Sequence, residues 1–439
     1  MKGSILGDVS RVLGSNISVL IFTMATSVMT ARCLGPSGKG LLTAIAVYPS
    51  LVVSFSDMGV RQSAVYFTAK SHYGQQSIIN AIATLYLIST SLSVIVAAVL
   101  IIATGNVLFT PLMILLAVSI IPFRLFQSYC RGILLGAEDT RSYNRFQWLP
   151  AILAAFFTGL FVIFLNGGVN GAQLAGVCAI APIVFLGLRI FGAKHSLGLS
   201  SDWGLIRRIV MMGLLFSTAL FIRMLNQRVP VIVLEGNDDV AAIGIFGIGA
   251  SFAELLTQIP MAVGAIVFSR SANAKDAAVF SKKVAVIFRF VLVLSLVGAT
   301  VLWFSCDLIM SLLYGDEFHL SATVVRFMLP GVVAMSLFRL LNMDLAGRGK
   351  PMLAMFATLP GTIINFSLCF WLVNDYGAPG AAISLSIVNV CVAVCFIMLY
   401  LRHTSLSFFE LVMFQKQDVD LVREATAKIC KKIGLSQWT

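Results

Sequence analysis

Leu220–Leu234 reads LFIRMLNQRVPVIVL. Ahead of it, Ile209–Ile222 is apolar apart from Gly213, Ser217 and Thr218, and behind it comes the acidic turn EGNDD. Read as one helix over 209–234, the stretch exceeds the roughly 20 residues that cross a bilayer at about 1.5 Å each. Arg223 then lies about 21 Å from the first end, inside the hydrocarbon. Arg223, Asn226, Gln227 and Pro230 share one face at i, i+3, i+4, i+7 spacing. A cation at that depth faces a bundle interior or a wet cavity, because hydrocarbon cannot solvate it. The alternative is an arginine paired to a neighbouring carboxylate. Our reading is a cationic cavity in a membrane with this helix in its wall.

The composition agrees. Hydrophobic residues make up 59% of the 439, charged residues 11%, and mean hydropathy is +0.94, against about 25% charged in a soluble domain. The net charge of +12 is spread over short loops and forms no nucleic-acid face. Most of the eight cysteines sit in apolar runs as small packing residues. Cys391 and Cys395 are four apart without a nearby histidine, a poor metal set. No phosphate-binding GxxxxGK[ST], GxSxG or HExxH pattern occurs. The expectation is a non-enzyme without cofactor or metal. Lys2 and Arg11 precede an apolar run read as a retained first helix.

Twelve spans are expected, over 12–31, 41–66, 77–103, 109–135, 147–166, 171–192, 209–234, 241–268, 284–306, 322–346, 353–374 and 378–401. Pro49, Pro122, Pro260, Pro330 and Pro360 fall inside them and predict kinks. Loop charge alternates. One side carries Lys70, Arg141, Arg145, Lys194, Arg207, Arg208, Lys275, Lys282, Lys283, Arg348 and Lys350. The other carries Glu235, Asp238, Asp239, Asp316, Glu317 and Asp375, with Arg32, Lys39 and Arg326 as exceptions. The basic side is expected to be cytoplasmic, with both termini inside.

The two halves repeat. Phe123-Arg124-Leu125, six residues and Gly132 match Phe338-Arg339-Leu340, six residues and Gly347. Leu149-Pro150 matches Leu359-Pro360, and Gly171-Ala172 matches Gly380-Ala381; the offset falls from 215 to 210 to 209. Gly40-Leu41 plus four residues to Ala46 echoes Gly244-Ile245 plus four to Ala250. Six spans return the chain to its starting side, so the halves are parallel repeats about an axis along the membrane normal. The expected architecture is all-α and polytopic: a lobe over 1–200, a second over 201–402, a central cavity between them, and a tail over 403–439. That tail reads either as an amphipathic helix on the inner leaflet or as a solvated chain.

Three stretches carry a resemblance: RCLGPSGKGLLTAIAVYPSL (Arg32–Leu51), AIGIFGIGASFAELLTQIPMAVGAIVFSRSA (Ala242–Ala272) and AGRGKPMLAMFATLPGTIINFSLCFWLVNDYGAPGAAIS (Ala346–Ser384). They resemble Wzx-like polysaccharide-unit flippases of the multidrug/oligosaccharidyl-lipid/polysaccharide exporter superfamily. The resemblance runs from about Arg11 to Tyr400 and is loose. It implies a bacterial inner-membrane flippase. It also implies an undecaprenyl-pyrophosphate-linked oligosaccharide substrate, such as an O-antigen (lipopolysaccharide) or exopolysaccharide unit, and alternating access. Proton or sodium coupling, and contacts with polymerase and chain-length regulator proteins, would accompany that role.

The candidate residues come from this sequence. Arg124, Arg339, Arg223, Arg228 and Arg61 are embedded cations suited to a pyrophosphate, because a guanidinium fork matches phosphate oxygens and keeps its charge. Arg61, Arg131 and Arg228 have snorkelling as an alternative. Arg124 and Arg339 occupy equivalent repeat positions and are expected to form a clamp. Gln127, Asn342, Asn226 and Gln227 are candidates for sugar contact. Glu254, Asp57 and Asp344 are the ion-coupling candidates; Asp57 is four before Arg61 and Asp344 four before Arg348, which also fits helical ion pairs. Competing readings are a drug/cation antiporter of the same superfamily, which should carry acidic residues in its cavity, and a membrane-embedded glycan polymerase or ligase, which should carry a large outer loop. A purely structural assembly component fits the repeat and the buried charge least well.

Overall fold

The computed structural model describes residues 5–414 apart from 58, 71, 72, 194, 195, 197, 201, 238, 273–275, 351 and 405. Most of the tail, 415–439, and the charged loop positions Lys194, Asp238 and Lys275 therefore lie outside the described residues. Among the described residues every regular element is helical. The α-helices are α1 (Ile5–Ser56), α2 (Val60–Lys70), α3 (Gln75–Ala103), α4 (Pro111–Gly136), α5 (Thr140–Thr158), α6 (Gly168–Ile180) and α7 (Pro182–Gly192). They continue with α8 (Trp203–Glu235), α9 (Val240–Ala253), α10 (Gln258–Ala272), α11 (Ala277–Tyr314), α12 (His319–Gly347), α13 (Leu353–His403) and α14 (Phe408–Val412).

Nine helical runs among the described residues are long and apolar enough to cross a membrane. Two of them, Asn16–Ala69 and Leu353–His403, hold 54 and 51 residues, enough for two crossings each. Each doubles back at a glycine outside helical geometry, Gly35 at φ 65° and Gly377 at φ 57°. With α8, whose 33 residues reach about 50 Å, every expected span has a helix in its place. Pro49, Pro122, Pro230 and Pro330 are accommodated inside helices. At Pro330 the neighbouring Gly331 N–H donates instead to Ser386 Oγ, 2.9 Å away, so a serine takes up a backbone donor beside the proline. Before Pro260 the helix tightens into a 3₁₀ turn, Glu254–Thr257. That is where the ring meets the preceding turn.

By Cα proximity the chain forms two compact units. One comprises Met1–Ser251, Cys306–Val325 and Thr362–Leu385; the other Phe252–Ser305, Arg326–Gly361 and Ser386–Thr439. Within the first unit α1 crosses α9 at backbone contact. A Cβ on Gly40 would lie 1.7 Å from the Val240 carbonyl oxygen, and one on Gly244 would lie 2.2 Å from that of Pro36. Farther along the same crossing, a Cβ on Gly247 would meet Thr43 Cγ2 at 3.2 Å. The positions 36, 40 and 43 are each 204 before 240, 244 and 247. The contact is therefore reciprocal, as a two-fold axis passing between repeat-equivalent residues requires. A second trace of the repeat is conformational: Gly168 and Gly377, 209 apart, have φ of 56° and 57°.

In the second unit the short α14 is capped at Ser407 by a reciprocal box with Glu410. Its Glu410 carbonyl accepts from the buried Arg289 guanidinium of α11. Leu411 is buried, and Phe414 packs on Phe290 with ring centroids 6.2 Å apart.

Candidate functional site: a cationic cavity

A cavity of about 520 Å³ lies within the first unit. Its walls come from both halves of the repeat: Pro49, Ser50 and Ser54 of α1, Ile120 and Arg124 of α4, Gln173 and Gly176 of α6, and Met224 and Arg228 of α8. Most of the lining is aliphatic, and two guanidiniums are its charged groups. Arg124 lies 13 residues after Pro111 and 12 before Gly136, so it enters near the middle of α4, about 18–20 Å from either end. Its side chain is exposed to the cavity space rather than packed. Arg228 lies seven residues before Glu235, about 10 Å from that end of α8. The field of a guanidinium among aliphatic walls favours an anion over a cation, and more strongly so in a medium of low dielectric.

Gln173 of α6, 9% exposed, lines the same cavity. Both its Nε2 and its Oε1 are buried without a hydrogen-bond partner among the described residues. Each such orphan costs about 1–3 kcal/mol relative to a paired group. Sequence reasoning misses Gln173, which adjoins the Gly171-Ala172 repeat match. A lone amide inside the apolar run AQLAGV is the available signal.

The other expected residues are dispersed. Gln127, three after Arg124, is buried and donates to the Phe146 carbonyl at 2.6 Å. Residues three apart share a helix face, but the Gln127 amide is taken up by α5 and does not line the arginine's cavity. Asn226 is buried and accepts from Asn365 Nδ2 through both its carbonyl and its Oδ1, at 3.0 Å each; Ser384 Oγ donates to Asn365 Oδ1 at 2.8 Å. That amide chain ties α8 to both limbs of α13. Arg223 and Gln227 are half-buried on α8 and outside the lining of this cavity. Arg61 is half-buried on α2. Asp57 and Arg61 interact electrostatically, as expected, but not as neighbours on one continuous helix. The helix stops at Ser56 and restarts at Val60, and Asp57 in that break accepts from Ser128 Oγ at 2.9 Å. Arg131 hydrogen-bonds the Tyr143 hydroxyl at 3.0 Å and sits 5.0 Å from the centre of its ring.

The second unit holds the rest. Arg339 and Asn342 are half-buried on α12, with Asn342 Oδ1 buried and unpartnered among the described residues. Glu254 is half-buried and opens the 3₁₀ turn. Asp344 is wholly buried and saturated. Arg348 grips both its oxygens at 2.6 and 3.1 Å, Tyr400 Oη donates at 2.8 Å and Ser271 Oγ at 2.7 Å. Arg348 also reaches Ser281. This is the helical ion pair, cross-linked to three further helices. Asp344→Ala leaves Arg348 without its counter-charge, and breaking such a pair costs about 3–5 kcal/mol. The purified variant is expected to unfold several degrees lower in a thermal scan. An unchanged transition together with lost transport would move Asp344 from scaffold to coupling.

At the sequence level no curated protein matches the chain. The MatE family pattern matches residues 209–371, from α8 into the first limb of α13. Among solved structures, the chain superposes on "Lipid II flippase MurJ, inward closed conformation" with a TM-score of 0.71 and 15% identity, covering 99% of this chain and 94% of that one. It has the fold of the MOP-superfamily transporters. An inward-facing multidrug resistance MATE family transporter of that superfamily matches at TM-score 0.63 and 17% identity over 88% of this chain and 94% of that one. The MATE multidrug transporter DinF-BH, solved as a complex, matches at 0.62 and 18% over 92% and 97%. The chain is thus a multi-pass membrane protein with a transporter fold, and flippases and drug transporters are both among its structural neighbours.

Proposed function

We propose that this chain flips a polyprenyl-pyrophosphate-linked oligosaccharide, an O-antigen or exopolysaccharide unit, between the leaflets of a bacterial inner membrane by alternating access. The observation that carries the reading is the cavity sign: Arg124 and Arg228 present the same charge into an otherwise aliphatic space. A pyrophosphate is attracted there, and each guanidinium can take two oxygens. Arg339, at the repeat-equivalent place on α12, is proposed as a further phosphate-binding residue. Lobes over 1–200 and 201–402, cytoplasmic termini and a cytoplasmic tail complete the proposal. Glu254 is proposed as the coupling carboxylate for a proton or sodium ion, and polymerase and chain-length regulator proteins as neighbours in the membrane. The reading contains no catalytic step.

A drug/cation antiporter is the second reading, since drug transporters share the fold. The two are separated by deleting the gene. A flippase leaves lipid-linked oligosaccharide accumulating on the inner leaflet and surface glycan lost, with drug susceptibility unchanged. In the same strain Glu254→Gln should restore less glycan than wild type at equal abundance. Heightened drug sensitivity with normal glycan would establish the antiporter instead.

A further inference from the structure

We infer that Gln173 is the sugar-reading residue of the cavity: its amide hydrogen-bonds the first sugar of the glycan while Arg124 and Arg228 hold the adjoining pyrophosphate. The inference rests on the flippase reading and adds to it a residue that separates a glycosylated carrier from a bare one.

Three observations converge. Gln173 and both arginines line the same cavity of about 520 Å³. Gln173 is buried, yet its donor and its acceptor both lack a partner among the described residues. The α6 residues beside it, Ala172 and Gly176, are small, and they flank the amide within the same lining. A glutamine kept for packing would be replaced by leucine without loss, or would find a carbonyl as Gln127 does at Phe146. An unpaired donor beside an unpaired acceptor matches a pyranose, whose adjacent hydroxyls, or hydroxyl and acetamido group, each donate and accept. The anion and the sugar are contiguous in the substrate, and the guanidiniums and Gln173 line one cavity. A buried polar group that is satisfied only by the correct ligand also discriminates, because the analogue lacking the hydroxyl leaves it unpaired.

The test uses the full chain in nanodiscs and two probes, undecaprenyl pyrophosphate and undecaprenyl-pyrophosphoryl-N-acetylglucosamine. Wild type should bind the glycosylated probe about tenfold more tightly, a difference equivalent to about 1.4 kcal/mol. Gln173→Leu should abolish that preference while leaving affinity for the bare pyrophosphate unchanged. Its thermal transition should stay level or rise, because an orphaned amide has been removed. Arg124→Ala should weaken both probes together. A Gln173→Leu protein that keeps the preference overturns the inference and leaves the flippase reading standing. So does one that loses both probes with a lowered transition, which marks a packing role. Wild type that binds neither probe removes the flippase reading and this assignment with it.

Discussion

Gly40→Ala and Gly244→Ala are each expected to cost about 1–3 kcal/mol, and the double variant no more than either alone. The added methyls would sit 1.7 and 2.2 Å from the carbonyl oxygens of Val240 and Pro36. The obstacle in each case is backbone, which has no rotamer by which to yield. Ordinary carbon–oxygen contact is about 3.3–3.6 Å, so α1 and α9 must part by about 1.5 Å. In a membrane, helices associate through close packing of small residues with little hydrophobic force behind it. Separation therefore forfeits the crossing. Because the contacts are reciprocal, the displacement that relieves one methyl relieves the other, and the losses do not add. Thermal unfolding of the three purified variants measures this, and glycan output should fall with stability. Additive losses would show that the two glycines make independent contacts rather than one.

The second large effect belongs to the cavity. Arg124→Ala and Arg228→Ala should each lower surface glycan in a flippase-null strain by about 10- to 100-fold, the equivalent of one charge-assisted hydrogen bond of about 1.5–3 kcal/mol. Arg124→Lys should retain part of the activity, since it keeps the charge and loses the two-pronged geometry. The double alanine variant should be inactive, with membrane abundance checked on a blot. Arg124 is exposed to cavity space and contributes little packing, so its removal alone should leave the fold intact; a thermal scan of each variant separates lost stability from lost binding. Arg339→Ala offers a direct comparison, because the repeat puts it at the position of Arg124. Wild-type glycan from a stable Arg124→Ala, Arg228→Ala protein would refute the anion-binding role.

Much of this protein was legible in the chain before any coordinates. Twenty-residue apolar runs must become helices in a bilayer, since hydrocarbon leaves backbone groups no other partners. That is why each expected span has a helix in its place and why α8 occupies Trp203–Glu235. The repeat was legible in ordered sequence matches, and the reciprocal close approach of Gly40 and Gly244 and the shared conformation of Gly168 and Gly377 agree with it. Arg124 and Arg228 were visible as embedded cations, because charge at depth is costly enough to require a use. Tertiary structure alone decided which polar groups meet. Helical spacing placed Gln127 with Arg124, but the chosen rotation sends it to the Phe146 carbonyl. The same rotation spends Asn226 on Asn365 and closes Asp344 into a ring of four donors. It leaves Gln173 in the lining of the arginines' cavity, its amide unpartnered among the described residues. A sequence states how polar a helix face is. Whether a neighbouring helix brings a partner within 3 Å depends on crossing distance and axial rotation, which arise only when all the helices pack together.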